Sequence, residues 1–251
     1  MPRKLGQHFL IRDSILEKLA VAACGEHAPR VVEIGPGRGA LTRHLLPRAD
    51  EIHALELDTS LAAYLQTKFA SEPKLHIHEG DVLAADITQW GPAVVTGNLP
   101  YYITSPIIEK FLNLDSRFES AVFLMQWEVA ERILAQPGTR DYGYLTVCVR
   151  LLCDVELVCK APPSAFAPPP NVDSAGVKFV RRSGPPVNLD SLRKLVSRSF
   201  AHKRKTLRNN LRPFYGESVT TLPEAGLRAE QLTIPQFIDL HARLVDTPEN
   251  G

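Results

Sequence analysis

The sequence predicts an α/β protein, a doubly wound parallel sheet followed by a small all-helical segment. Three observations carry this. Short apolar runs alternate with helix-period patterns from residue 31 to beyond residue 128. A glycine-rich turn closes the first of those runs. Beyond a linker at 181–188 containing Gly184, Pro185 and Pro186, every strong pattern is helical.

Each element follows from its residues. Ser14 with Glu17 has the spacing of a capping box and opens a helix running to about residue 24. Residues 31–34 read as the first strand, 52–57 as the second, 75–78 as the third, 93–96 as the fourth and 121–125 as a buried fifth. Helical patterns lie between them, through Leu41, Leu45 and Leu46, then at 60–69 and 107–114, and from about 128 onward. Residues 144–152 read as a helix, and 155–158 and 175–180 as late strands. The proline-dense stretch 162–170 has too few N–H donors for regular structure and is expected to be a fixed loop. Helices are expected at 189–200, 204–211 and 234–244. The domains implied are 1–182 for the sheet and 187–247 for the helices.

Composition narrows the class. No apolar run approaches the roughly 18 to 20 residues of a membrane span. The basic start of the chain has no apolar core of a signal peptide, so a cytoplasmic monomer is expected. Cys24, Cys148, Cys153 and Cys159 show no CxxC spacing and no histidine cluster, so reduced, buried thiols and no metal site are expected. The net charge of +1 conceals a polarity. Residues 176–212 hold 11 bases and one acid, a net +10, which leaves 18 bases and 27 acids elsewhere, a net −9. So lopsided a segment in an otherwise acidic chain reads as a polyanion footprint rather than an ordinary solvated face.

The first chemical signal is Glu33-Ile34-Gly35-Pro36-Gly37-Arg38-Gly39, between the first strand and the next helix. Glycines there let the backbone turn sharply and approach a ligand. A nicotinamide dehydrogenase would want GxGxxG and a helix N-terminus for a pyrophosphate. Here the spacing is GxGxG, and an acid precedes it, which suits a cationic cofactor. Glu56 closes the second strand, where a carboxylate can accept both hydroxyls of a ribose. Asp81, in Gly80-Asp81-Val82, follows the third, where it can accept from an adenine amine. Each alone reads as a solvated strand-end acid. Three acids on the carboxyl edge of one sheet read as an S-adenosyl-L-methionine pocket, and the fold as a class I (Rossmann-like) sheet of methyltransferases that use that cofactor.

Asn98-Leu99-Pro100-Tyr101 follows the fourth strand. The lone pair of adenine N6 is delocalised into the ring, so N6 is a poor nucleophile. The amide oxygen of Asn98 and the carbonyl of Pro100 could accept its two hydrogens and hold it pyramidal. Tyr101 would stack on the ring, a contact worth roughly 1–3 kcal/mol. Orientation supplies most of the rate, and no strong base is needed.

With these residues in place, the chain resembles the KsgA-type ribosomal RNA adenine dimethyltransferases over nearly its whole length. Lys4-Leu5-Gly6-Gln7-His8-Phe9-Leu10 is similar to that family's N-terminal cofactor motif. VEIGPGRGALT at 32–42, Leu55-Glu56-Leu57-Asp58, Gly80-Asp81 and NLPYYI at 98–103 resemble its next four. Pro162-Pro163-Ser164-Ala165-Phe166 and Pro168-Pro169-Pro170-Asn171-Val172-Asp173-Ser174 resemble its target-base loop, and FAHKRKTLRNNL at 200–211 its helical-domain signature. The resemblance implies that His8, Leu10, Gly35, Glu56, Asp81 and Asn98 line the cofactor pocket, and that Phe166 with Tyr101 faces the target base. It implies dimethylation of two adjacent adenosines near the 3′ end of small-subunit ribosomal RNA, in the immature 30S particle. Arg198, Lys203, Arg204, Lys205 and Arg208 are expected to meet RNA phosphates, the last four at helical spacing. The alternatives are the large-subunit ribosomal RNA methyltransferases of macrolide resistance, which share the cofactor and catalytic motifs, and a methylation-silent RNA-binding factor on the same scaffold. Intact Glu56, Asp81 and Asn98–Tyr101 weigh against the second.

Overall fold

A computed structural model describes residues 8–185 and 187–245. Lys4 to Gln7 of the N-terminal motif, Pro186 of the linker and residues 246–247 of the expected helical domain lie outside the described residues. The strands are β1 (Phe9–Leu10), β2 (Ala28–Ile34), β3 (Ala49–Glu56), β4 (Leu75–Glu79), β5 (Val94–Asn98), β6 (Ser120–Gln126), β7 (Cys153–Ala161), β8 (Phe166–Ala167) and β9 (Ser174–Arg181). The helices are α1 (Asp13–Cys24), α2 (Thr42–Leu45), α3 (Thr59–Lys68), α4 (Thr104–Leu112), α5 (Trp127–Leu134), α6 (Tyr144–Arg150), α7 (Leu189–Ser199), α8 (Leu207–Tyr215) and α9 (Ile234–Leu244).

By its internal packing the chain divides into two units. The first holds residues up to Ala130 together with Asp154–Arg181, and the second holds Glu131–Cys153 together with the chain from Arg182 onward. A division at 182–187 alone was expected. The stretch 131–153 instead joins the helical unit: Thr146 donates to the Arg132 carbonyl, Arg150 to that of Leu134, and the Tyr142 ring meets Phe200 at 6.2 Å.

The first unit carries a seven-stranded sheet in the order β4-β3-β2-β5-β6-β9-β7. The pairs β4–β3, β3–β2, β2–β5 and β5–β6 are parallel, and β9 is antiparallel to β6. The chain order reverses between β2 and β5, the point in such sheets where ligands bind beyond the strand ends. Ala121 to Met125 in β6 are all buried, as a strand covered on both faces requires. Ile15, Leu16 and Leu19 of α1 belong to one buried cluster with Val31, Val122 and Leu124. Elsewhere in the unit Phe111, Phe123 and Phe179 meet at ring distances of 5.7–6.2 Å. Gly97 in β5 has its own packing reason. A Cβ there would lie 2.3 Å from the carbonyl oxygen of Ile34, so only glycine lets these two strands close up next to the site.

Local details differ from the sequence reading. The cap of α1 is Arg12, whose side chain makes no capping hydrogen bond, and Ser14 lies inside the helix. Glu17 does not close a capping box: its carboxylate accepts from His44 and Arg48 instead, and those hydrogen bonds hold it below its usual carboxylate range. The proline stretch is not wholly irregular, because Phe166–Ala167 forms the strand β8. There Leu10 pairs with Phe166 and Phe9 with Ala167. The partners are distant in sequence, so no local pattern announced this ladder.

In the second unit, α7 buries Leu192, Leu195, Val196 and Ser199 on one face. Phe200 packs on Phe237 of α9 at 5.9 Å. The helix expected at 204–211 begins later, at Leu207, with Thr206 as its cap. Asn210 Nδ2 donates to the carbonyls of Ser199 and His202, and these bonds hold 200–206 as a turn.

Candidate active site

The site is built at the carboxyl ends of β2, β3 and β5. Gly35, Gly37 and Gly39 take φ values of 64°, 59° and 75°, a left-handed conformation that side chains resist. The turn they make brings the Gly37 N–H to 2.9 Å from Glu56 Oε2, and Oε1 of the same carboxylate accepts from Asp58 N at 3.0 Å. Glu56 is thereby fixed at the end of β3, with a lone pair left on each oxygen.

Two cavities meet here. One, of about 790 Å³, is lined by His8, Leu10, Glu33, Glu56, Asn98 and Tyr101 among others, and the second, of about 460 Å³, by Leu57, Asp81, Val82, Ile103 and Ile107 among others. Gly35, Glu56 and Pro100 belong to both. The second is an apolar slot whose acid beyond the shared Glu56 is Asp81. That carboxylate is exposed and turned by a bond from Leu83 N at 2.8 Å. This shape and donor set fit a planar ring with one exocyclic amine, next to a ribose held by Glu56.

Glu33 is 1% exposed and accepts from Thr42 Oγ1 at 2.7 Å. Burial first, and the nearby Glu56 carboxylate second, push its carboxyl up to about 7 against the pull of Thr42. A buried acid beside a cavity, with no base paired to it among the described residues, is what a cationic ligand would complete. On all three counts the residues fit S-adenosyl-L-methionine.

Asn98 sits where β5 ends. Its Nδ2 donates to the main-chain carbonyl of His8 at 2.9 Å, which fixes the amide and leaves Oδ1 as an acceptor. Leu99 N donates to the Leu124 carbonyl at 3.0 Å. The Pro100 carbonyl does not fill its expected role. It accepts from Ile103 N at 3.1 Å and from Thr104 Oγ1 at 3.2 Å, which engages both lone pairs. The carbonyl of Leu99 has no such partner among the described residues. Tyr101 is held from two sides: its hydroxyl lies 2.7 Å from Ser174 Oγ, and the His8 ring stacks on it at 5.7 Å. His8 Nδ1 donates to the Pro168 carbonyl at 2.9 Å. Ser174 and Gly97 support the site without having been singled out in the sequence. Their only local signals were the last residue of the proline motif and a glycine inside a strand.

Phe166 is a second correction. It is 3% exposed, packed in the cluster with Leu10, Leu16 and Leu19, and lines neither cavity. Pairing of β8 with β1 turns it inward. The expected basic residues lie in the second unit. Lys203, Arg204 and Lys205 are exposed in the turn before α8, Arg208 is exposed on α8, and Arg198 stacks over Phe214 at 4.1 Å. Helical spacing therefore does not relate the first three to Arg208.

Fold and site together define a class I methyltransferase that uses S-adenosyl-L-methionine. A family model described as ribosomal RNA adenine dimethylase matches residues 1–245, and the chain belongs to that family. It is 40% identical to ribosomal RNA small subunit methyltransferase A of Synechococcus elongatus, over 99% of this chain and 97% of the relative. It is 38% identical to the protein of the same description from Alcanivorax borkumensis, over 95% and 88%. Among solved structures, a dimethyladenosine transferase from Plasmodium falciparum superposes with a TM-score of 0.83 at 30% identity, covering 93% of this chain and 96% of that one. The 23S rRNA methyltransferase ErmE does so with 0.72 at 29% identity, covering 95% and 100%.

Proposed function

We propose that this enzyme dimethylates N6 of two adjacent adenosines near the 3′ end of small-subunit (16S) ribosomal RNA. It acts as a cytoplasmic monomer on the immature 30S particle. The observation that carries the chemistry is the fixed Asn98 amide, which leaves its oxygen as an acceptor, and the carbonyl of the following Leu99 is unengaged among the described residues. These two acceptors take the two hydrogens of N6 and draw its lone pair out of conjugation. Tyr101, anchored by Ser174, supplies the stacking face.

When bound, S-adenosyl-L-methionine supplies a methyl group made electrophilic by its sulfonium. Glu56 would hold the ribose, Asp81 the adenine amine, Glu33 a positive charge, and His8 and Leu10 the wall opposite. The new C–N bond would form as the methyl–sulfur bond breaks and the sulfur becomes a neutral thioether, and the N6 proton, made acidic by methylation, would pass to water, so orientation by Asn98 and Leu99 matters more than a strong base. The choice of the small subunit is supported by the descriptions of the relatives at 38–40% identity. Mass spectrometry of ribosomal RNA adenosines from cells lacking the protein tests it. Dimethyladenosine should vanish from the small subunit. Its loss from the large subunit alone would transfer the reading to the rival substrate.

A further inference from the structure

The second unit holds an aromatic group that its fold does not use. Phe214, in the last turn of α8, is 52% exposed, whereas Leu211 one turn earlier and Phe237 of α9 are fully buried. Its surroundings are ordered. The Arg198 guanidinium lies 4.1 Å from the Phe214 ring centre and 5.3 Å from that of Tyr215, and donates to the Tyr215 hydroxyl at 3.0 Å. Gly216, at φ 64°, ends the helix directly after the pair and returns its N–H to the Arg212 carbonyl. Arg198 thus gathers the two rings into one cluster on the helical unit.

The charge around it is positive. Arg198 and Lys194 lie one turn apart on α7, and Lys194 is exposed. Arg212 is paired with Glu217 and adds little. A buried partner helix would want an apolar rim. A base with its flanking phosphates wants a π surface edged by cations.

We propose that Phe214, Arg198 and Tyr215 form a platform on which one unpaired RNA base stacks, with Lys194 meeting the adjoining phosphate. This rests on the reading of ribosomal RNA as substrate. It adds a second base contact, made by the helical unit and separate from the target-base site at Tyr101.

The test uses the full chain and two hairpins at low salt, one a continuous duplex and the other identical except for two bulged adenosines. Phe214→Ala should weaken binding to the bulged hairpin about tenfold. Binding to the continuous duplex should hold, and the salt slope on the bulged one should not change, because no phosphate contact is lost. Phe214→Trp should keep the affinity, and its added emission above that of Trp90 and Trp127 should be quenched by the bulged hairpin alone. Unchanged affinity of Phe214→Ala for the bulged hairpin overturns the platform. So does an equal loss on both hairpins, which would mean that the ring supports the fold. Normal binding of both hairpins with lost co-sedimentation on small subunits would assign the patch to a protein partner, and also overturns it. If the unaltered protein binds neither hairpin nor small subunits, the RNA-substrate reading itself fails.

Discussion

The side-chain amide of Asn98 donates to the main-chain carbonyl of His8 at 2.9 Å, joining residues 90 apart in sequence. This bond fixes the amide oxygen that we propose accepts from the substrate amine, and it ties the N-terminal segment to the Asn98–Tyr101 loop. Asn98→Ala should therefore cut methyl transfer at least about 100-fold, the scale on which loss of one oriented polar group acts at a reacting centre. It should also weaken cofactor binding, because His8 loses its tether. A radiolabelled methyl assay with a melting curve checks this, and near-normal turnover would remove Asn98 from the chemistry.

Glu56 accepts from two backbone amides and faces both cavities. Glu56→Ala should raise the dissociation constant for S-adenosyl-L-methionine about 10- to 150-fold, the equivalent of roughly 1.5–3 kcal/mol for hydrogen bonds to a charged group. Titration calorimetry reads it directly. An unchanged constant would make Glu56 a brace for the glycine turn only.

Glu33 titrates near 7 because burial disfavours its charged form. Its folded value lies above the unfolded one, so the folded state holds the proton more tightly. Below about 4.5 both states are protonated and nothing is lost. As pH rises to about 7 the unliganded protein should lose stability, by roughly 5–10 °C in Tm. The rings of buried His53 and half-buried His78 act in the opposite sense. Burial lowers both, so their contribution is full above the ordinary histidine range and falls away in acid. The difference between wild type and Glu33→Gln isolates the glutamate, and should fall as pH rises from about 5 to 8. A variant curve parallel to wild type would place the proton elsewhere.

Gly97→Ala should fail to fold or lose at least about 3 kcal/mol, since the added Cβ meets the Ile34 carbonyl at 2.3 Å and neither strand can retreat. Urea unfolding of any soluble fraction measures it. Ordinary stability would mean that β2 and β5 can separate without harm.

Lys203, Arg204 and Lys205 crowd one exposed turn. Changing all three to Glu should weaken binding to small subunits and flatten its salt dependence, with S-adenosyl-L-methionine affinity unchanged. A short linear oligonucleotide with the target adenosines should be a poor substrate beside an immature small subunit. Equal rates on the two would show that the basic turn does not select RNA by its shape.

Much of this protein was legible in its sequence. Alternation of apolar runs with helical periods is a local property, and it located the strands of the parallel sheet and most helices to within a few residues. The acids Glu33, Glu56 and Asp81 could be read as one site because strand ends in such a sheet share an edge. The role proposed for the loop Asn98–Tyr101 came from the chemistry of N6. What the tertiary structure alone decided depends on residues far apart in the chain. Pairing of Leu10 with Phe166 turned that phenylalanine into the core, against expectation. Local donors claimed the Pro100 carbonyl and left that of Leu99 without a partner among the described residues. The bonds from Asn210 to Ser199 and His202 ended one helix and delayed the next. Periodicity records which face of an element is apolar. It holds no information on which distant donor reaches a carbonyl first, and that competition set the final geometry of the site.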